Sequence, residues 1–210
     1  MPQDTDHITT RWNARYGKDE YAFGEEPNEF LVAHAGAFPR GPVLCLAEGE
    51  GRNAVFLAGR GHPVTGVDLS PVGLRKAAAL AAKRGVEIET VVADLETYPI
   101  EPGAWSGIVS IFAHLPSGIR RGLHRRVVEG LAPGGAFLLE HYNPGQIGRG
   151  TGGPSDVDML PTVPILRDEL DGLVFEHADE LVREVVEGPY HTGIASVVQV
   201  IARKPGGAST

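Results

Sequence analysis

The run VLCLAEGEGRN from Val43 to Asn53 constrains the fold of this chain more than any other stretch. Four apolar residues lead into a turn holding Gly49 and Gly51, and a helical pattern opens behind it. That order reads as a buried strand, a tight turn and a helix. Glycines there permit positive φ and let backbone N–H groups approach a ligand at the positive end of the helix dipole. Fifteen residues past Asn53, the run VTGVDLS from Val64 to Ser70 sets Asp68 at the tip of a second apolar segment. An acid at the end of the neighbouring strand is placed to meet a ribose diol. A nucleoside-cofactor site is therefore expected on this rim.

The rest of the chain repeats the alternation. Strand signals fall at about 43–47, 63–67, 87–92, 105–111, 136–141, 173–177 and 195–202. Helical patterns fall at about 28–37, 52–60, 71–84 and 118–131, with Ser70 and Pro71 as cap and first-turn proline of the third. Strands alternating with helices through short Gly/Pro turns predict an α/β fold, a doubly wound, mostly parallel seven-stranded sheet. The last strand is expected to run antiparallel, in a hairpin closed around Gly188–Gly193. Residues 143–164 break the pattern with five glycines and four prolines. A stretch of that kind inside a compact domain is usually functional or mobile, and it is read as a loop covering the substrate, against a plain flexible excursion. Residues 1–10 and the tail from Lys204 are expected to be disordered, leaving one domain over 1–204.

The turn also satisfies the loose dinucleotide pattern G-x-G-x-x-A, from Gly49 to Ala54. Charge decides against a pyrophosphate. Glu48 and Glu50 flank Gly49, and at about 5 Å and an effective dielectric of about 20 each would repel a phosphate by about 3 kcal/mol. S-adenosylmethionine brings an ammonium and a sulfonium instead, and the helix N-terminus is expected to receive its carboxylate. A third strand-end acid, Asp94, lies 26 residues after Asp68. It is placed to accept a hydrogen bond from an adenine amino group, with Leu69 and Leu95 as apolar faces.

On these residues the chain resembles the class I S-adenosylmethionine-dependent methyltransferases, and among them small bacterial members near the tellurite-resistance and thiopurine methyltransferases. The resemblance rests on YAFGEEPN at 21–28, CLAEGEGRN at 45–53, VDLS at 67–70, SIFAHLP at 110–116, LAPGG at 131–135 and GPYHTG at 188–193. It implies a Rossmann-like methyltransferase fold, S-adenosylmethionine as cofactor with S-adenosylhomocysteine as product, and methyl transfer to a small molecule. The tellurite resemblance also suggests a thiol or a selenium or tellurium anion as acceptor. Such an anion ionises near neutral pH and needs little general base, which suits a sequence with no evident acid–base pair.

Composition narrows the partners. A net charge of −8 argues against nucleic acid and anionic membrane, which require clustered positive charge. The one cysteine, Cys45, lies inside the first strand and reads as a buried inert thiol. The polar N-terminus shows no secretory signal, and no apolar run approaches the ~18 residues of a membrane span. A cytoplasmic enzyme, monomer or homodimer, is the expectation. No C-x-x-C, H-E-x-x-H or acid–histidine cluster marks a metal site.

The candidate cofactor residues are Glu48, Gly49, Glu50, Gly51, Asn53, Asp68, Leu69, Ser70, Asp94, Leu95 and Phe112, with Tyr21 in an N-terminal lid. Asp94 as a helix cap, Leu69 and Leu95 as core, and Phe112 as packing are the structural alternatives. His114, His191 and Tyr190 are the candidate catalytic groups, each able to serve as base for an oxygen acceptor. Arg120, Arg121, Arg125 and Arg126 read as a solvated helix face. Two other classes stay open: a non-catalytic S-adenosylmethionine-binding module and an NAD-dependent oxidoreductase.

Overall fold

The computed structural model of the chain describes residues 5–206. At its centre a seven-stranded sheet runs in the order β3-β2-β1-β4-β5-β7-β6. The strands are β1 (Val43–Leu46), β2 (Val64–Asp68), β3 (Glu89–Val92), β4 (Trp105–Ile111), β5 (Leu131–Tyr142), β6 (Val174–Val186) and β7 (Thr192–Arg203). The helices are α1 (Thr5–Tyr16), α2 (Glu29–His34), α3 (Arg52–Gly59), α4 (Pro71–Arg84), α5 (Ser117–Gly130) and α6 (Val163–Glu169). Strands β1 to β5 pair in parallel, and β7 lies antiparallel between β5 and β6. This is the doubly wound α/β sheet with an antiparallel last strand.

Both faces of the sheet are covered, which is why β1 and β2 are buried along their whole length. Alternation along β1 sends Leu44 and Leu46 to one face, against Leu123 and Val127 of α5 and Leu166 of α6. Val43 and Cys45 face the other way, against Phe30 and Leu31 of α2 and Leu57 of α3. Burial also raises the Cys45 thiol pKa well above its ordinary value, so it stays protonated and inert. Helix α4 opens at Ser70, whose Oγ accepts the Gly73 N–H, and closes at Gly85 with φ 70°.

Strand order reverses between β1 and β4, and the crevice outside their carboxyl ends is where ligands bind in such sheets. Ala47 follows β1 with φ 50° and Phe112 follows β4 with φ 52°. They are the two non-glycine residues with positive φ among the described residues. Strain of this kind costs on the order of 1–3 kcal/mol each and clusters at functional sites. Both outliers therefore flank the crevice.

Several expectations need correction. Residues 5–10 belong to α1 instead of a disordered arm, while 1–4 and 207–210 lie outside the described residues. The tail is pinned through Lys204, whose Nζ donates to the Glu129 and Leu131 carbonyls. Arg120 is not on a solvated face: its guanidinium is buried in a bidentate pair with Glu169, at 2.9 and 3.0 Å, beside His124. That cluster anchors α6, a helix the sequence pattern hid among prolines. The 143–164 stretch is ordered by turns at Pro144–Gln146 and Val157–Met159, and Leu160 is buried under it. Strand β6 continues to Val186, so the hairpin it forms with β7 is far longer than its sequence signal.

Candidate cofactor and acceptor site

The glycine turn is built by its own acids. Glu48 Oε1 accepts the N–H groups of Asn53 and Ala54, at 3.1 and 2.8 Å, and so caps α3 from within. The Val55 N–H bonds the Gly51 carbonyl. These first-turn donors are thus satisfied, and the expectation that they receive a ligand carboxylate gives way to an internal cap. Burial pushes the Glu48 carboxyl up to about 7, against the opposing pull of those amides and of Arg52. Gly51, with φ 92°, is needed for packing as well as for the turn: a Cβ would lie 2.6 Å from the Cα of Ala77 on α4. Asp68 braces the turn, accepting Gly49 N–H at Oδ2 (2.8 Å) and Ser70 N–H at Oδ1 (2.7 Å). Each carboxylate oxygen can accept a second bond, so Asp68 keeps capacity for a diol.

A strap formed by α1 and the segment after it crosses this rim. Tyr16 is buried, and its hydroxyl lies 2.7 Å from where a Cβ on Gly49 would stand. Burial, together with Asp68 and Glu50, raises the Tyr16 pKa well above its ordinary value, so it remains a neutral phenol. Ser70 Oγ donates to Asn13 of α1 (2.6 Å), and Thr5 Oγ1 donates to Asp94 (3.2 Å). Asp94 also accepts the Glu96 N–H, a local turn cap. Glu50 points to the strap: Oε2 accepts the Ala22 N–H at 2.7 Å and Oε1 pairs with Lys76 Nζ at 2.5 Å. Tyr21 sits outside the crevice, beside Val55 and Leu80 between α3 and α4, with Lys76 over its ring. Leu69 is half-buried on the rim, whereas Leu95 is buried in the main core.

A second cluster of candidate residues lies at the ends of β4 and β5 under the β6–β7 turn. Phe112 meets the edge of His191 at 4.1 Å between ring centres, and Tyr142 and Phe23 stand 5.0 and 5.8 Å from the same ring. His114 stacks on Tyr142 at 5.3 Å. The 143–164 loop closes this box: a Cβ on Gly153 would lie 2.5 Å from the Tyr142 ring, and one on Gly152 3.4 Å from His191. The three candidate catalytic groups are not equivalent. His114 Nε2 accepts the Tyr142 N–H at 3.1 Å, and burial lowers its pKa to about 3, so its lone pair is already used. Tyr190 is exposed and turned to α1, where it bonds Lys18 and lies under Arg15 at 4.8 Å. Only His191 faces the box.

His191 is held by a residue the sequence reading passed over. Its Nδ1 lies 2.9 Å from Oε2 of Glu187, which also accepts from Arg52 at 2.7 Å. Glu187 Oε1 accepts from Asn28 at 2.8 Å, and the Asn28 N–H in turn bonds Asn53 Oδ1 at 3.0 Å. Burial opposes ionisation of Glu187, but the bonds from His191 and Arg52 outweigh it and hold the carboxyl down at about 2. Burial keeps the His191 pKa below its ordinary value despite that carboxylate. The available signal was the spacing of Glu187 and His191 across the Gly188-Pro189 turn. Nothing local linked either to Arg52.

One observation fits S-adenosylmethionine, and one shows the space over the glycine turn occupied. Arg52 Nη1 is buried without a partner among the described residues, a cation suited to a carboxylate. The cradle over Gly49 is filled by the Tyr16 hydroxyl, so binding there requires α1 to shift. Among the described residues no group of His, Cys, Asp and Glu could hold a metal ion, and no helix is long and apolar enough to cross a membrane.

Comparison with known proteins agrees with this fold. The profile of a family described as a methyltransferase domain matches residues 43–135, from β1 to the start of β5. A curated relative, the 2-heptyl-1-hydroxyquinolin-4(1H)-one methyltransferase of Mycobacteroides abscessus, is 30% identical over 122 residues, 57% of this chain. The aligned region covers 54% of that relative, about half its length. A structure from the conversion of a disulfide bond into a thioacetal group during echinomycin biosynthesis superposes with a TM-score of 0.77. It is 20% identical, with 97% of this chain and 94% of that one covered. TehB from Haemophilus influenzae gives 0.70 at 18% identity, over 93% of this chain and 66% of that chain. The chain has the fold of these structures, and residues 43–135 match the methyltransferase-domain profile.

Proposed function

We propose that this chain transfers a methyl group from S-adenosylmethionine to a small, flat organic acceptor. The observation that carries the reading is the convergence of two half-sites at the strand-order reversal. Asp68 and the glycine turn lie on one side, and the aromatic box of Phe112, Tyr142 and Phe23 around His191 on the other. The matched methyltransferase domain and the relative named for a hydroxyquinolone support it.

When bound, the cofactor supplies an electrophilic methyl on a sulfonium. Asp68 would accept from the ribose hydroxyls and Arg52 Nη1 would answer the carboxylate, while Glu48 favours positive charge nearby. Strap and loop exclude water, which strengthens these interactions and keeps the acceptor in near-attack geometry. The 2.9 Å contact of Glu187 with His191 favours an oxygen acceptor over the thiol or chalcogen anion. The likeness to TehB, at 18% identity, carries the fold alone.

Calorimetric titration with S-adenosylhomocysteine and, separately, with NADH tests the cofactor. Micromolar binding of the first and none of the second is expected. Binding of NADH alone would overturn the reading. Affinity for S-adenosylhomocysteine without turnover on hydroxylated heteroaromatics, thiols or chalcogen anions would instead mark a binding module.

A further inference from the structure

We infer that Glu187 and His191 form a general-base dyad and that the acceptor atom is the oxygen of a weakly acidic hydroxyl. This rests on the methyl-transfer reading above and narrows its acceptor. An ionised carboxylate only accepts hydrogen bonds. The 2.9 Å contact from Glu187 Oε2 therefore fixes the proton of His191 on Nδ1 and leaves the lone pair on Nε2. Nε2 makes no hydrogen bond among the described residues, and the ring is enclosed edge-on by Phe112, Tyr142 and Phe23. A neutral imidazole held in one tautomer with a free lone pair on Nε2 is a base for a hydroxyl brought to that nitrogen.

The cations beside the dyad support that state, against the carboxylate of Glu140, which shares Arg183 with Glu187. Arg52 from α3 pairs with Glu187 at 2.7 Å, and Arg183 on β6 approaches it at 3.8 Å. Both keep Glu187 anionic, and both disfavour a second positive charge on His191 before reaction. His114 lies near and is neutral, and burial raises the Tyr142 pKa above its ordinary value, so neither competes for the proton. In the step, the acceptor O–H bond breaks and its proton passes to Nε2. The oxygen forms the new bond to the methyl carbon as the carbon–sulfur bond breaks, and that electron pair stays on sulfur as a neutral thioether. Glu187 then faces an imidazolium, which passes the proton to water. A thiolate or chalcogen anion arrives without its proton and has no use for the dyad.

The test compares a ring hydroxyl with the corresponding ring thiol as acceptors, in wild type, His191→Gln and Glu187→Gln, across pH 5–10. General-base catalysis is worth roughly 10²–10⁴-fold. The ratio of hydroxyl to thiol turnover at pH 7 should fall at least 100-fold in His191→Gln. It should recover as pH nears the hydroxyl's own pKa. Glu187→Gln should lie between the two. An unchanged ratio, with both acceptors slowed equally, would reduce His191 to a wall of the site and overturn the dyad. An NMR titration of the His191 ring gives a readout without turnover: losing Glu187 should move its midpoint further down, and an unmoved midpoint would also overturn the pairing. Failure of wild type to bind S-adenosylhomocysteine would sink the methyl-transfer reading itself, a result the NMR titration does not depend on.

Discussion

Replacing Glu187 by glutamine keeps the side-chain shape and removes one buried charge. The side chain is 4% exposed and accepts from Asn28, Arg52 and His191 at 2.7–2.9 Å, so solvent screening is slight. Its carboxyl is held at about 2 against an ordinary 4.5. At about 1.36 kcal/mol per pH unit that gap is worth about 3 kcal/mol. A depressed folded pKa gives stability that is complete above the unfolded value of 4.5 and is lost as pH falls from there toward 2. Urea unfolding of wild type and Glu187→Gln between pH 3 and 7.5, followed by circular dichroism, should show a difference of about 3 kcal/mol at neutral pH. Below pH 4.5 the gap should shrink by up to about 1.4 kcal/mol per unit. In thermal scans at pH 7 the same difference corresponds to a midpoint lower by about 6–12 °C. A difference that stayed constant from pH 7 to 3, or was absent throughout, would refute the view that Glu187 is an ionised hub.

Two more variants test the cofactor side. Asp68→Asn removes the charge while leaving an acceptor for the turn, and should weaken S-adenosylhomocysteine binding roughly ten- to hundredfold, the range of a hydrogen bond to a charged group. Unchanged affinity by calorimetry would take Asp68 off the ribose. Lys76→Met breaks the pair with Glu50 and the bonds from Nζ to the Lys18 and Glu20 carbonyls, and so loosens the strap. The association rate, read in stopped flow from Trp12 fluorescence, should rise severalfold. An unchanged rate would mean that strap opening does not limit entry.

The sheet was legible because a parallel strand buried on both faces writes its apolar run into consecutive residues, as β1 and β2 do. Glycine turns and capping pairs such as Ser70-Pro71 mark helix starts for equally local reasons. What sequence hid or bounded poorly were elements held by distant partners: the aromatic-rich stretch Trp12–Phe23 reads as a helix and loop, whereas the helix lies at Thr5–Tyr16. Helix α1 is short of apolar residues and owes its place to Tyr16, Asn13 and Thr5 meeting groups on the rim. Helix α6 follows prolines and is fixed by a buried pair with Arg120, 49 residues away. Glu50 looked like a cofactor ligand because it stands between two glycines. Its direction, toward Ala22 and Lys76, is a property of the strap.

The Glu187 network shows why such a site resists reading from sequence. One carboxylate joins Asn28 before α2, Arg52 at the start of α3 and His191 across the β6–β7 turn. Asn28 lies 159 residues from Glu187, so no spacing rule connects them. Their association has a physical cause in burial. An isolated carboxylate or guanidinium at this depth would cost several kcal/mol, and each is tolerated only because the others satisfy it. The strap, the turn helix and the hairpin consequently share one electrostatic condition. A substitution of Glu187 leaves Arg52 buried without its carboxylate and frees Asn28 and His191 at once, so cofactor cover and His191 orientation should fail together.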